Sequence, residues 1–306
     1  MYIRTYEGLA KAPTPLPPGG DIVPCVGTSE VNASLLWRTP SPRGIACIGK
    51  NLFVVNRETG EIHQFNLETQ SAQRIWPGPG NEFRPFVGPT YIPRRQELIV
   101  SALGRDEWDK PIRRQGTLFA VRLDGTARII ADQKTSSAHE AALYGCAGTA
   151  LLDTGEVAVS GMWSRRVTAI NPASGSVRLL VDLSPDRNPD GLRHHPKGEL
   201  LICDRTKGEL LALRDGGQYR VLARGFSDPI SVDVTPDLDA IVLSKKTSTV
   251  HRLDLNKRLE VSSCQPIATA PAFGRFCLAI SYHGKQKVVI AVDSDTDNTV
   301  DGLYWI

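Results

Sequence analysis

Long apolar runs are missing from this chain. No stretch of its 306 residues approaches 18 uninterrupted apolar positions, so no membrane-spanning helix is expected. The opening segment, MYIRTYEGLAKAPTPLPPGG, has no apolar core of the kind a secretory leader carries; it reads as an extended Pro- and Gly-rich arm. Blocks of five or six like charges are also missing. The Arg residues are scattered and the formal net charge is only +3, too little to argue for nucleic acid. Cysteine is sparse: six residues (25, 47, 146, 203, 264 and 277), widely spaced and without a CxxC pair. Cys47, Cys203 and Cys277 sit inside apolar runs. The expectation is of buried thiols in a reducing compartment, the cytoplasm. No Gly-rich phosphate loop, GxSxG elbow or HExxH motif occurs. Helices of ordinary length are not expected either; Thr135–Leu143 could form one short turn capped by Ser136 or Ser137.

What the chain does have is repetition. Asn188-Pro189-Asp190-Gly191-Leu192, a polar turn at Pro196-Lys197-Gly198 and the apolar Glu199–Asp204 form one unit. Related units start at Pro42, Gly88, Ala147, Pro229 and Phe276. Their second strands begin near Leu52, Leu98, Val157, Leu200, Ile241 and Val288, at spacings of about 46, 59, 43, 41 and 47 residues. Several strands per unit and a period of roughly 40–50 residues are the signature of propeller blades. The composition agrees, with 41% hydrophobic and 23% charged residues and many turn formers, 27 Gly and 21 Pro.

The predicted fold is all-β: a six-bladed propeller of four-stranded antiparallel blades over residues 34–306, preceded by an extended arm, residues 1–33. The last unit has only three strands before the chain ends. Ser34–Arg38 (SLLWR) has no partner within blade one. It is therefore predicted to supply the outermost strand of blade six and close the ring, removing an exposed edge.

In such a ring, the loops leading into the innermost strands and those joining second to third strands gather at one mouth of the central channel. The first set carries Arg43, His139, Glu140, Tyr144, Asn188, Asp190, Asp228 and Arg275. The second carries Asn56, Arg57, Arg105, Glu107, Trp108, Trp163, Arg165, Asp204, Arg205, Lys245, Lys246, Asp293 and Asp295. His194 and His195, in a turn at the opposite end, are expected at the surface. Arg105–Arg114 reads as an insertion in blade two and a candidate lid, with Trp108 placed to cover a ligand. Cys146, near the axis, is a candidate nucleophile.

The phrase NPDGL…PKGELLICD resembles the senescence marker protein/gluconolactonase/regucalcin family of six-bladed propellers and, more distantly, NHL-repeat propellers. The resemblance implies a metal-dependent lactonase or esterase, with a divalent cation (Ca, Mg or Zn) held at the axis by a Glu, an Asn and an Asp. Asp190 matches the Asp of that set. Pro42-Arg43-Gly44 stands where the Glu is expected, and Cys146-Ala147-Gly148 where the Asn is expected. Asp190 is thus the metal-ligand candidate, with Asp204 or Asn188 beside it. The alternative is no cofactor and acid–base chemistry, as in an isomerase, cyclase or lyase of a biosynthetic pathway. Asp190, His139, Glu140 and Tyr144 are its catalytic candidates, because His and carboxyl groups exchange protons near neutral pH. Arg43, Asn56, Arg105, Trp108, Trp163, Asn188, Asp204 and Arg275 are the substrate-binding candidates. A non-catalytic propeller that binds a ligand or protein across its face is the third reading. The expected partner is a small-molecule substrate, with no nucleic acid and no membrane, and the expected state is a monomer or weak dimer.

Overall fold

A computed structural model of the chain describes residues 22–25, 34–80, 83–105, 111–132, 142–214, 216–269, 276–283, 287–293 and 301–305. It is a six-bladed β-propeller. Blade four shows the plan: Pro189–His194 is innermost, followed outward by Leu200–Asp204, Glu209–Leu213 and Tyr219–Arg224, all antiparallel. Blades one, two, three and five repeat it from Pro42, Phe83, Cys146 and Pro229.

Burial explains why these segments are strands. The second strands Val157–Gly161, Leu200–Asp204 and Ala240–Ser244 are buried at every position. Each is covered on both faces, so its sequence is a continuous apolar run and not an alternating one. The outer strand Ala72–Trp76, at the rim, is buried only at its last residue. The apolar core is correspondingly divided into six clusters, one between each pair of successive blades. Between blades three and four, for example, Val167 and Val181 pack with Ile202 and Leu211.

The ring closes as the sequence predicts. Ser34–Trp37 pairs antiparallel with Gly302–Trp305, completing blade six beside Lys287–Asp293 and Phe276–His283. Trp37 then stacks on Phe65 of blade one at 5.1 Å, and the Asp301 carboxylate accepts the Ser41 N–H at 3.0 Å. In blade one the register slips between Ile62 and His63, where the third strand Ile62–Asn66 meets Ala72–Trp76.

Two expectations need correction. Val23–Pro24 adds a fifth strand to blade four, parallel to Tyr219–Arg224, and Cys25 forms a disulfide with Cys264 on the outer strand of blade five. The arm thus straps two blades together, and the step from unlinked cysteines to a reducing compartment loses its basis. A sequence separation of 239 residues hides this pairing from any local reading. In blade two, Arg105 pairs with Pro111 at the end of a long hairpin, Glu97–Arg105 against Pro111–Arg122. The flanks of the supposed lid are therefore strand extensions; Trp108 lies outside the described residues. Of the predicted short turn, only Ala142 and Leu143 are described. Among the described residues no helix is long and apolar enough to cross a membrane.

A substitution and a truncation separate the ties at the N-terminus. Cys25→Ala should cost about 2–4 kcal/mol of stability, a range typical of removing a disulfide. Deleting residues 1–40, which also removes the closing strand, should lower the melting temperature further and in one cooperative step. Full-length melting behaviour in the deletion variant would contradict closure by Ser34–Trp37.

Candidate functional site

The inner strands begin with bulges. Pro42 faces Asn56 but Gly44 faces Val55; Pro189 faces Asp204 but Leu192 faces Ile202; Pro229 faces Ser244 but Ser231 faces Leu243. The inserted residues leave the ladder at the hub end of their strands. They include Arg43, Asp190 and Ile230, and all three line the central cavity. Just below them the blades touch backbone to backbone. A Cβ on Gly44 would lie 1.1 Å from the Gly88 carbonyl oxygen, and one on Gly191 would lie 2.5 Å from that of Ile230. The Gly191 of the Asp190-Gly191 pair is therefore required by space and not by chemistry. Ser160 of blade three fixes the neighbouring backbone, donating to the Asp190 carbonyl at 2.6 Å.

The cavity encloses about 560 Å³. It runs from Arg43, Asp190, Arg205 and Lys245 at one mouth to Asp153, His194 and Asp233 at the other. At the first mouth Arg205 is the centre of an ion network. Its Nε and Nη2 donate to the two carboxylate oxygens of Asp228 at 2.7 and 3.0 Å, and its Nη1 lies 3.3 Å from Asp190 Oδ2. Such a two-pronged pairing fixes geometry as well as charge. The Asp190 side chain is 15% exposed. Burial pushes its carboxyl up from the ordinary value, over the opposing pull of Arg205 and Arg43. Burial brings the Lys245 amine down to about 8, assisted by the positive charges of Arg205 and Arg43. Burial works against the Arg205 charge, but the Asp228 hydrogen bonds and the two carboxylates hold its pKa above the usual value.

Of the residues proposed from sequence, Asp190 and Arg43 are brought together at the mouth. The others are not. Asn56 is buried and committed to its own turn: its Nδ2 donates to the Pro40 carbonyl, and its Oδ1 accepts the N–H groups of Glu58 and Thr59. Asp204 is fully buried, pairs with Arg187 at 2.6 Å and accepts the N–H groups of Asn188, Thr206 and Lys207. Asn188 holds that turn through its backbone, with its carbonyl accepting the Arg205 N–H. Tyr144 and Trp163 meet edge to face at 5.9 Å, and Trp163 packs on the core between blades two and three. Neither lines the cavity. Of Arg105 only the backbone is described, and His139, Glu140, Trp108 and Arg275 lie outside the described residues.

Three further readings change. His195 is fully buried, not at the surface: its Nδ1 accepts the Lys197 N–H and its Nε2 donates to the Leu238 carbonyl, which fixes a neutral ring. His194 lines the far end of the cavity, 3.5 Å from Asp153. Cys146 is a buried thiol donating to the Ala102 carbonyl, pushed up to about 12 by burial, and so is no nucleophile.

The sequence alone puts Arg205, Asp228 and Lys245 at the mouth without distinguishing them from their neighbours. A repeated geometry could have singled them out. The residue before each inner-strand proline accepts the N–H of the residue following the second strand: Ser41 from Arg57, Asn188 from Arg205, Asp228 from Lys245. In these three blades that following residue is a cation. In blade one Arg57 is turned onto Glu58, so blades four and five supply the pair that faces the cavity.

Among the described residues the donor set does not fit a resident divalent cation. Asp190 is the only matched ligand, it is bound to Arg205, and Arg43 stands where a second carboxylate would be needed. Among the described residues no group of three or more His, Cys, Asp or Glu side chains is placed to hold a metal.

No family model matches the chain, and no curated protein matches it. Similar folds are found among solved structures. The calcium-binding protein regucalcin of Agrobacterium tumefaciens is 12% identical with a TM-score of 0.62, covering 94% of each chain. Virginiamycin B lyase of Staphylococcus aureus is 11% identical with a TM-score of 0.60, covering 89% of this chain and 96% of its own. The aldose sugar dehydrogenase of Streptomyces coelicolor, solved with PQQ, is 12% identical with a TM-score of 0.61, covering 93% and 96%. At these identities the likeness shows the fold alone.

A half-buried lysine with a lowered pKa has a defined effect on stability. Between about pH 8 and 10.5 the folded protein holds fewer protons at Lys245 than the unfolded chain does, so this residue makes stability rise with pH across that window. Denaturant melts of wild type and Lys245→Met from pH 7 to 10.5 should show this rise in the wild type and lose it in the variant. Parallel curves would contradict the burial of the amine.

Proposed function

We propose that the chain is a small-molecule-transforming enzyme working at the Asp190 mouth of the central channel by metal-independent acid–base chemistry, as an isomerase, cyclase or lyase. One observation carries the reading: Asp190 and Lys245 face the same cavity, and their surroundings move their pKa values toward each other. A carboxylate raised from its ordinary value is a stronger base, and an ammonium lowered to about 8 is a stronger acid. Asp190 then removes a proton from bound substrate while Lys245 gives one to the oxygen on which charge develops. Arg205 is the positioning residue: its guanidinium holds Asp190 against the hub and is itself held by Asp228. Partial withdrawal from water at the mouth strengthens each of these interactions.

The lactonase or esterase implied by the family resemblance is the weaker version, because its chemistry calls for a cation that this donor set does not suit. Solved structures of similar fold include a lyase, which makes the proposed class compatible with the architecture.

The test is a screen of enolisable and eliminable metabolites in D2O, read by mass spectrometry for product or deuterium incorporation. Transformation should survive chelator. Asp190→Asn and Lys245→Met should each lower kcat about 10²–10⁴-fold, the usual contribution of a general acid or base. Activity should fall as pH rises through about 8, where Lys245 loses its proton. Loss of activity on chelation, or fully active variants, would overturn the assignment.

A further inference from the structure

The Cys25–Cys264 disulfide lies against the piece of chain that builds the active mouth. Cys25 donates its N–H to the Arg224 carbonyl at 2.6 Å. Its backbone is pressed on Gly225, where an added Cβ would lie 2.9 Å from the Cys25 carbonyl oxygen. Gly225 opens the connector 225–228, which leads from the outer strand of blade four to the inner strand of blade five. Gly225 and Phe226 anchor it, donating their N–H groups to the Gly208 carbonyl at 3.0 and 3.1 Å, and Phe226 belongs to the same apolar cluster as Cys25. The connector ends at Asp228. The Asp228 carboxylate clamps Arg205 through both oxygens, and the Asp228 carbonyl accepts the Lys245 N–H at 2.9 Å. Asp228 has a φ of 61°, a left-handed backbone that its surroundings must hold in place. On the other side of the disulfide, Cys264 is half-buried on the outer strand of blade five, whereas Cys25 is buried. The arm strand itself is short: Val23 and Pro24 pair with Ala223 and Arg224, and proline has no N–H to add to the ladder.

We propose that the Cys25–Cys264 disulfide is a redox-controlled positioning element of the active mouth. Closed, it presses the arm on connector 225–228 and holds Asp228 where it clamps Arg205. Opened by a dithiol reductant, it lets the connector move and the clamp loosen. Cys264 is the point of attack, because it is the less buried partner. A thiolate of the dithiol bonds to the Cys264 sulfur, the disulfide bond breaks, and Cys25 leaves as a thiolate that takes up a proton. The second thiolate of the reductant then attacks the reductant sulfur of the mixed disulfide and releases Cys264 as a thiol. Two electrons pass to the protein, and the dithiol becomes a disulfide. Cys146 and Cys203 do not compete, since they are buried and burial raises the pKa of both thiols. The inference rests on the placement of the active site at this mouth and names a means of regulating it.

The test applies dithiothreitol to the folded full chain and reads hydrogen exchange of single amides by NMR. Iodoacetamide trapping and peptide mass spectrometry should find Cys25 and Cys264 labelled after reduction and Cys203 unlabelled. Exchange at Gly225, Phe226 and Lys245 should then rise at least about tenfold more than at Arg57, whose N–H makes the corresponding bond to the Ser41 carbonyl in blade one. Reoxidation should restore protection. Cys264→Ser should exchange like reduced wild type with or without reductant. A disulfide that resists dithiothreitol until the protein unfolds, an equal change at Arg57 and Lys245, or unaltered protection after reduction would overturn the proposal. The wild-type comparison stands without the variant, and none of these readouts needs turnover. A protein whose connector loosens as described but which transforms nothing keeps the redox element and loses the catalytic reading. A protein whose turnover depends on Asp190, but whose connector is indifferent to reduction, does the reverse.

Discussion

The closeness of the inner strands at the hub governs the rest of the molecule. Six sheets converging on one axis bring backbone against backbone, and the contacts at Gly44, Gly148 and Gly191 leave no room for a Cβ. That crowding sets the radius of the channel. It also fixes where a side chain can still project inward: at the bulge just above the glycine, where the strand has not yet entered its ladder. Arg43 and Asp190 occupy that position in blades one and four. The chemistry at the mouth therefore follows from a packing requirement one residue further along the chain.

Placing charged groups at the hub has a cost, because half-buried ions lose water. The structure offsets it through one residue. Arg205 gathers both carboxylates, with the bidentate geometry to Asp228 leaving a third donor for Asp190. The compensation is incomplete. The Asp190 carboxyl still shifts up and the Lys245 amine still shifts down. Residual mismatch of this sort is common at sites that do chemistry. The contrast with the other charged clusters is instructive. Glu199 with Arg220, and Asp204 with Arg187, are buried away from the cavity and are fully engaged in bonds that hold strands and turns.

The fold is legible in the sequence because a propeller repeats. The second strands are the most apolar segments, and their spacing announces six units even where individual phrases are weak. The closing strand is legible for a related reason: SLLWR has no partner in its own blade, and blade six lacks one strand. The site is legible only in part. Asp190 and Arg43 follow from aligning the starts of inner strands. Asn56 and Asp204 look equally well placed, but each is consumed by the turn after its own strand, which depends on rotamer and not on position. Arg205, Asp228 and Lys245 belong together through contacts between blades four and five that no single repeat contains. The Cys25–Cys264 disulfide is hidden by the same long-range character.

The most direct measurement is a carbon-detected NMR titration of the Asp carboxyl groups, with Asp190 assigned by mutation. A carboxylate facing the hub beside Arg205 should titrate above the ordinary Asp value of 3.8, and replacing Arg205 by Leu should move it higher still, because its strongest cationic partner is gone. An Asp190 that titrates at the ordinary value, and does not respond to Arg205→Leu, would contradict both the ion network and the site built on it.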